Sequence, residues 1–141
     1  MQVQDIMTKD VTALAPACPI ADVAQTMRQL GVGSIPVVRD GQVIGIITDR
    51  DIVLRVVADG LDPSMETAQD HMTREPLVAA PDWTLERAAE LMAREQVRRL
   101  PVAENGRLVG YLVLGDLAVQ NQDRQVGDTL EEISEPGVAG R

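Results

Sequence analysis

Gly45-Ile46-Ile47-Thr48-Asp49-Arg50-Asp51 carries an apolar run into a hydroxyl and three charged residues, and Ile52-Val53-Leu54 then turns apolar again. The pattern reads as a buried strand emptying into the first turn of a helix, with polar side chains gathered at the joint. A helix start exposes unpaired N–H groups and the positive end of its dipole, so such joints commonly hold anions. Thr48 and Asp51, three residues apart, suit a phosphate and a sugar. They equally suit a capping box, in which each side chain serves the other's backbone.

Working outward, the chain has a second copy of this joint 65 residues later, at Gly110-Tyr111-Leu112-Val113-Leu114-Gly115-Asp116. The same offset relates Met7-Thr8 to Met72-Thr73, Ala15-Pro16 to Ala80-Pro81, Ala24 and Met27 to Ala89 and Met92, and Val32 to Val97. It also relates Pro36-Val37 to Pro101-Val102, Gly41 to Gly106, Gly45 to Gly110 and Asp51 to Asp116. An unbroken register of this kind marks an internal repeat. The reading places a first repeat in residues 1–60, a second in 61–122 with a polar linker at about 59–66, and a polar tail in 123–141.

Each copy parses alike. A short helical turn (3–7; 68–72) leads to a short extended piece (11–14; 77–79). A helix follows, with Pro19 suited to its first position and Ile20, Val23, Ala24, Met27 and Leu30 on one face before Gly31. In the second copy Asp82 or Thr84 starts the helix, and Leu85, Ala88, Ala89 and Met92 form the stripe. A hairpin comes next, turning at Asp40-Gly41 and at Asn105-Gly106, the favoured type I′ dipeptides. A second helix, 49–57 or 114–120, closes the copy. The fold class is therefore α/β (α+β): two β-α-β-β-α repeats, each about sixty residues and marginal alone. They are expected to pack with pseudo-two-fold symmetry and to leave clefts between them.

The second helices are apolar around most of their circumference, with Ile52, Val53, Leu54, Val56 and Val57 in one and Leu114, Leu117, Ala118 and Val119 in the other. Such helices are either deep core or the faces of a homodimer. In the tail, Thr129-Leu130-Glu131-Glu132 has capping-box spacing, which suggests a short helix.

Composition narrows the function classes. Formal net charge is −9, with no Phe, one Trp and one Tyr, so the core is aliphatic and a basic grip on nucleic acid or anionic membrane is disfavoured. One cysteine, Cys18, forms no internal disulfide, and no segment has the length of a membrane span, so a cytoplasmic protein is expected. There is no G-x-x-x-x-G-K-[ST], no H-E-x-x-H and no paired-cysteine metal spacing, and the one histidine, His71, sits at the position of Ile6 as a helix-end residue. No catalytic or metal residue is assigned. Trp83, at the place of Cys18, reads as packing.

The chain resembles a tandem pair of CBS (cystathionine β-synthase) domains over about residues 3–120. The carriers are Ile6-Met7-Thr8, Gly31-Val32-Gly33-Ser34-Ile35-Pro36-Val37-Val38, Gln96-Val97-Arg98-Arg99-Leu100-Pro101-Val102, Asp40-Gly41 and the two strand–helix joints. The resemblance implies a stand-alone regulatory module rather than an enzyme, with no tightly bound cofactor. It would bind an adenosine-containing ligand (AMP, ADP, ATP or S-adenosylmethionine) in the clefts between repeats, often as a dimer, and signal to an effector protein. A ligand-free structural or protein-interaction homodimer is the alternative.

Residue by residue, Asp51 and Asp116 match the family aspartate that accepts from both ribose hydroxyls, and Thr48 matches the hydroxyl facing the phosphate. Val113 stands where the second hydroxyl should be. Arg98 and Arg99 match basic positions that contact phosphates in some members, although a solvated or interface pair explains them as well. Val32, Ile35, Val97 and Leu100 match the apolar floor under an adenine, and backbone near Thr12 and Leu77 would read the base edge. The two sites are thus expected to be unequal.

Overall fold

The computed structural model of the chain describes residues 1–120, so the suggested tail helix lies outside the described residues. Its elements are α1 (Val3–Ile6), α2 (Ile20–Leu30), β1 (Ser34–Arg39), β2 (Gln42–Thr48) and α3 (Asp49–Ile52), which continues as a π-helical turn (Val53–Val57). They are followed by α4 (Ala68–His71), β3 (Thr73–Arg74), α5 (Leu85–Glu95), β4 (Arg99–Glu104), β5 (Arg107–Val113) and α6 (Leu114–Gln120). No helix among the described residues is long and apolar enough to cross a membrane.

The elements form two compact units whose boundaries differ from those of the repeat. One unit is the continuous stretch Thr12–Pro76; the other joins Met1–Val11 to the described residues from Leu77 to Gln120. The lead segment of each sequence copy therefore packs with the body of the other copy.

In the continuous unit, β1 and β2 pair antiparallel, and the Asp40-Gly41 turn has φ of 52° and 81°. Both central residues are left-handed, as a type I′ turn requires. Past Val37 the register shifts, leaving Ile44 with no residue opposite. The expected extended piece at 11–14 contributes one bridge: the Leu14 N–H donates to Pro36 O and the Val38 N–H to Leu14 O, each at 2.9 Å. Thr73–Arg74 then pairs antiparallel with Gly45–Ile46. Ile20, Val23, Ile35, Val37, Ile47, Val56 and Ala68 are wholly or almost wholly buried in this unit's aliphatic core.

The second unit repeats the pattern. β4 and β5 turn at Asn105-Gly106 with φ of 52° and 81°, Ala79 bridges Val102, and Thr8 bridges Tyr111 through two 2.8 Å backbone bonds. Its core gathers Val3, Leu85, Ala88, Ala89, Met92, Leu100, Val102, Leu112 and Leu117. Trp83 packs against this core as expected, with the Arg87 guanidinium 4.0 Å from its ring centroid.

Two local expectations need correction, and a third leaves two alternatives open. Pro19 is the N-cap of α2 rather than its first helical residue, because ψ of 142° keeps it extended while its carbonyl accepts the first helical N–H bonds. Of the two starts expected for α5, Thr84 is the one that caps it, its hydroxyl accepting from the Arg87 N–H at 3.1 Å. The helix expected over 49–57 is α-helical for one turn only; the Ala58 N–H then reaches Val53 O, a five-residue step.

Two glycines explain the exchange of lead segments. A Cβ at Gly45 would lie 2.8 Å from Met72 Cγ and 2.9 Å from the Thr73 carbonyl oxygen. A Cβ at Gly110 would lie 2.6 Å from Met7 Sδ and 2.9 Å from the Thr8 carbonyl oxygen. The thioethers can move, but the carbonyls belong to paired backbone. Gly45→Ala and Gly110→Ala should therefore each destabilise the fold by about 1–3 kcal/mol, measured by urea unfolding. The ends of α2 and α5 give a second expectation. Gly31 takes the left-handed cap at φ 67°, whereas Gln96 holds it at φ 55° with a side chain. Gln96→Gly should raise stability by up to about 1 kcal/mol, and an unchanged urea midpoint would contradict it.

Candidate functional site

Strand β2 ends at Thr48, whose backbone is still extended at φ −113° and ψ 160°, so its side chain and N–H face the first turn of α3. The Asp51 N–H donates to Thr48 Oγ1 at 3.0 Å, and the Thr48 N–H donates to Asp51 Oδ2 at 3.0 Å. The capping box read from the spacing is thus formed. Asp51 is one of two buried polar residues among those described, at 9 % exposure; Ser34 is the other. An Asp or Thr cap of this kind stabilises a helix by about 1 kcal/mol.

Both hydrogen bonds leave capacity for a ligand. The Thr48 hydroxyl accepts in the cap and keeps its proton to donate; Asp51 Oδ1 is not used by the cap. Facing Oδ1 at 3.6 Å is Nη2 of Arg55, one turn on. Arg55 Nη1 donates to the carbonyls of His71 at 2.8 Å and Met72 at 3.3 Å. This cation was not among the expected site residues. The Asp-to-Arg four-residue spacing on a helix was its available signal.

The counterpart joint is built differently. Val113 offers no hydroxyl, Asp116 is exposed, and among the described residues Asp116 has no side-chain partner. The main chain is equivalent: the Leu114 N–H donates to Arg98 O at 2.9 Å, as the Asp49 N–H does to Gly33 O at 2.9 Å. A Cβ at Gly33 would meet Asp49 Oδ2 at 3.0 Å, so the continuous unit has a carboxylate where the other unit carries Arg98. Arg98 is exposed and Arg99 half-buried at the start of β4.

The remaining expected residues divide by burial. Val32 and Val97 are half-buried against their own unit's core, Thr12 is exposed, and Leu77 is 41 % exposed. Ile35 and Leu100 are different: at 1 % exposure each belongs to a core cluster and offers no surface to an adenine. Their expected place in the ligand floor is corrected, because the strand register points both inward. Thr12, Val32, Thr48 and Asp51 fall in the continuous unit; Leu77, Val97, Arg98, Arg99 and Asp116 fall in the other.

His71 is the last residue of α4, and its Nε2 lies 2.8 Å from Glu66 Oε1. Burial pushes the Cys18 thiol above its ordinary value, and the nearby Asp22 charge adds to that. Among the described residues, no three His, Cys, Asp or Glu side chains gather so as to hold a metal ion. A recess in the discontinuous unit, lined by Gln4, Asp82, Glu104 and Asn105 among others, contains none of the expected site residues.

Comparison with known proteins identifies the family. The CBS domain model matches residues 3–58 and again 68–120. CBS domain-containing protein YhcV of Bacillus subtilis (strain 168) is 41 % identical over 137 residues, covering 96 % of this chain and 97 % of that protein. Among solved structures, Hypoxic Response Protein I with two coordinated zinc ions superposes at a TM-score of 0.78 with 32 % identity, over 86 % of this chain and 99 % of that one. CBSX2 in complex with AMP superposes at 0.74 with 28 % identity, over 86 % of this chain and 98 % of that one. Two family matches at the offset of the internal repeat, with a relative of this identity aligned almost end to end, mean that the chain belongs to the CBS-domain family and carries the domain twice in tandem.

Proposed function

We propose that this chain is a regulatory, non-catalytic module that binds an adenosine-containing ligand of the AMP, ADP or ATP class and reports its occupancy to a partner protein. The observation that carries the reading is Asp51, a carboxylate 9 % exposed, held through Oδ2 by the Thr48 N–H and keeping Oδ1 as an acceptor. A ribose presents two adjacent hydroxyl donors, and a two-oxygen carboxylate is their natural acceptor. The Thr48 hydroxyl has its proton left for a phosphate oxygen. The AMP bound to CBSX2 supports an adenine nucleotide as the ligand class.

At the other joint, Asp116 would take the ribose, and Arg98 and Arg99 would supply phosphate contacts in place of the hydroxyl lost at Val113. Val32 would flank a base at the Thr48–Asp51 joint and Val97 one at the Asp116 joint, with backbone near Thr12 and near Leu77 reading the base edges. The Thr48–Asp51 site is the better equipped. The module is proposed to act as a homodimer through the 49–57 and 114–120 helices, because Val53, Leu54, Val57 and Val119 are 54 %, 50 %, 63 % and 70 % exposed. That same surface favours a second reading, a ligand-free dimer serving as an interaction scaffold.

Thermal unfolding with AMP, ADP, ATP and S-adenosylmethionine separates the two. A ligand at 100 times its Kd adds about 2.7 kcal/mol of stability, and Asp51→Ala with Asp116→Ala should abolish the shift. Unchanged melting with all four ligands would leave the scaffold reading. Thr48 gives a finer test: Thr48→Val should lower stability by about 1 kcal/mol through the lost cap and weaken AMP about tenfold, with Thr48→Ser restoring both. Wild-type affinity in Thr48→Val would reduce the hydroxyl to a cap.

A further inference from the structure

Arg55 is anchored at both ends of its guanidinium. Nη2 faces Asp51 Oδ1 at 3.6 Å, while Nη1 donates to the carbonyls of His71 and Met72 at 2.8 and 3.3 Å. His71 ends α4 and Met72 is its C-cap, so these are carbonyls that the short helix leaves unsatisfied. Met72 is also the residue that crosses Gly45, and Thr73–Arg74 is the strand paired with β2. One planar cation thus links the carboxylate of the Thr48–Asp51 joint to the segment that closes the continuous unit.

We propose that Arg55 is a positioning residue that couples the charge and occupancy of Asp51 to the α4–β3 segment. The trigger rests on the ligand reading above; the linkage does not. The Asp51 side chain is 12 % exposed and that of Arg55 46 %, so the carboxylate is the enclosed partner and the arginine the one with space to rearrange if the pair is lost. Without that anchor the guanidinium regains rotamer freedom, and its hold on the two carbonyls weakens. A hydroxyl donated to Oδ1 competes for the acceptor that faces Nη2 and acts in the same direction. In the other unit the residue at the position of Arg55 is Gln120, which carries no charge. The proposed coupling is therefore assigned to the Thr48–Asp51 site.

Hydrogen exchange on the full chain tests this, comparing wild type, Asp51→Asn, Arg55→Gln, Arg55→Lys and the Asp51→Asn/Arg55→Gln double variant. Amides of His71 to Arg74 should exchange about two- to tenfold faster in each single variant, and no faster in the double variant than in Arg55→Gln alone. Amides of Val23 and Met27 in α2 are the internal reference, and unchanged rates there separate local loosening from global destabilisation. Arg55→Lys keeps the charge without the fork and should accelerate exchange as Arg55→Gln does. AMP should accelerate the same amides in wild type and not in Arg55→Gln. Wild-type exchange in Asp51→Asn, or additive effects in the double variant, overturns the proposal. If AMP does not bind, the ligand reading fails alone, because the Asp51→Asn and Arg55→Gln comparison needs no nucleotide.

Discussion

Two methionines crossing two glycines are the contact on which both units depend. Where Met72 and Thr73 pass over Gly45, and Met7 and Thr8 over Gly110, a strand lies so close to its neighbour that no Cβ fits between them. Three of the recurring pairs in the sequence are explained at once: methionine, threonine and glycine recur together because they make one contact, and the residue after each glycine (Ile46, Tyr111) pairs with the threonine. The contact also carries the lead helices onto the cores, burying Val3 in one unit and Ala68 in the other. Each unit is about the size at which a single aliphatic core is marginal, so losing a strand and a helical turn would remove a large share of its burial.

Much of this is legible in the sequence, and the exceptions have physical reasons. The hairpins are legible because Asp40-Gly41 and Asn105-Gly106 leave the backbone little choice. α2 and α5 are legible from their stripes and from Gly31. The π-helical turn is not, since Ile52 and Val56 face inward in either kind of helix and apolar spacing does not separate the two. β3 is too short at two residues to show alternation. A repeat identifies equivalent segments without saying which copy's lead packs on which body, so the unit boundaries are invisible at that level.

The candidate site follows the same division. Thr48 and Asp51 are legible as a capping box, whose spacing the sequence displays and whose two bonds are formed. Ile35 and Leu100 are misread because an aliphatic run looks alike on both faces, and only strand register decides which side chains join the core. The inequality of the two joints is legible at Val113 and is enlarged by the structure. Asp51 is buried and ion-paired to Arg55, whereas Asp116 is exposed.

The exchanged lead segments also set an order of events during synthesis. Thr12–Pro76 is continuous, and its closing strand pairs with Ile46, about thirty residues back in the chain. Val3–Thr8 is made before either unit's body, yet Tyr111, the partner of Thr8, follows only after about a hundred more residues. The later unit therefore completes its core with residues made about a hundred positions earlier, and the continuous unit has no such wait. Until then Val3, Ile6 and Met7 are uncovered, so a pause in making the later residues leaves this segment without the core it completes.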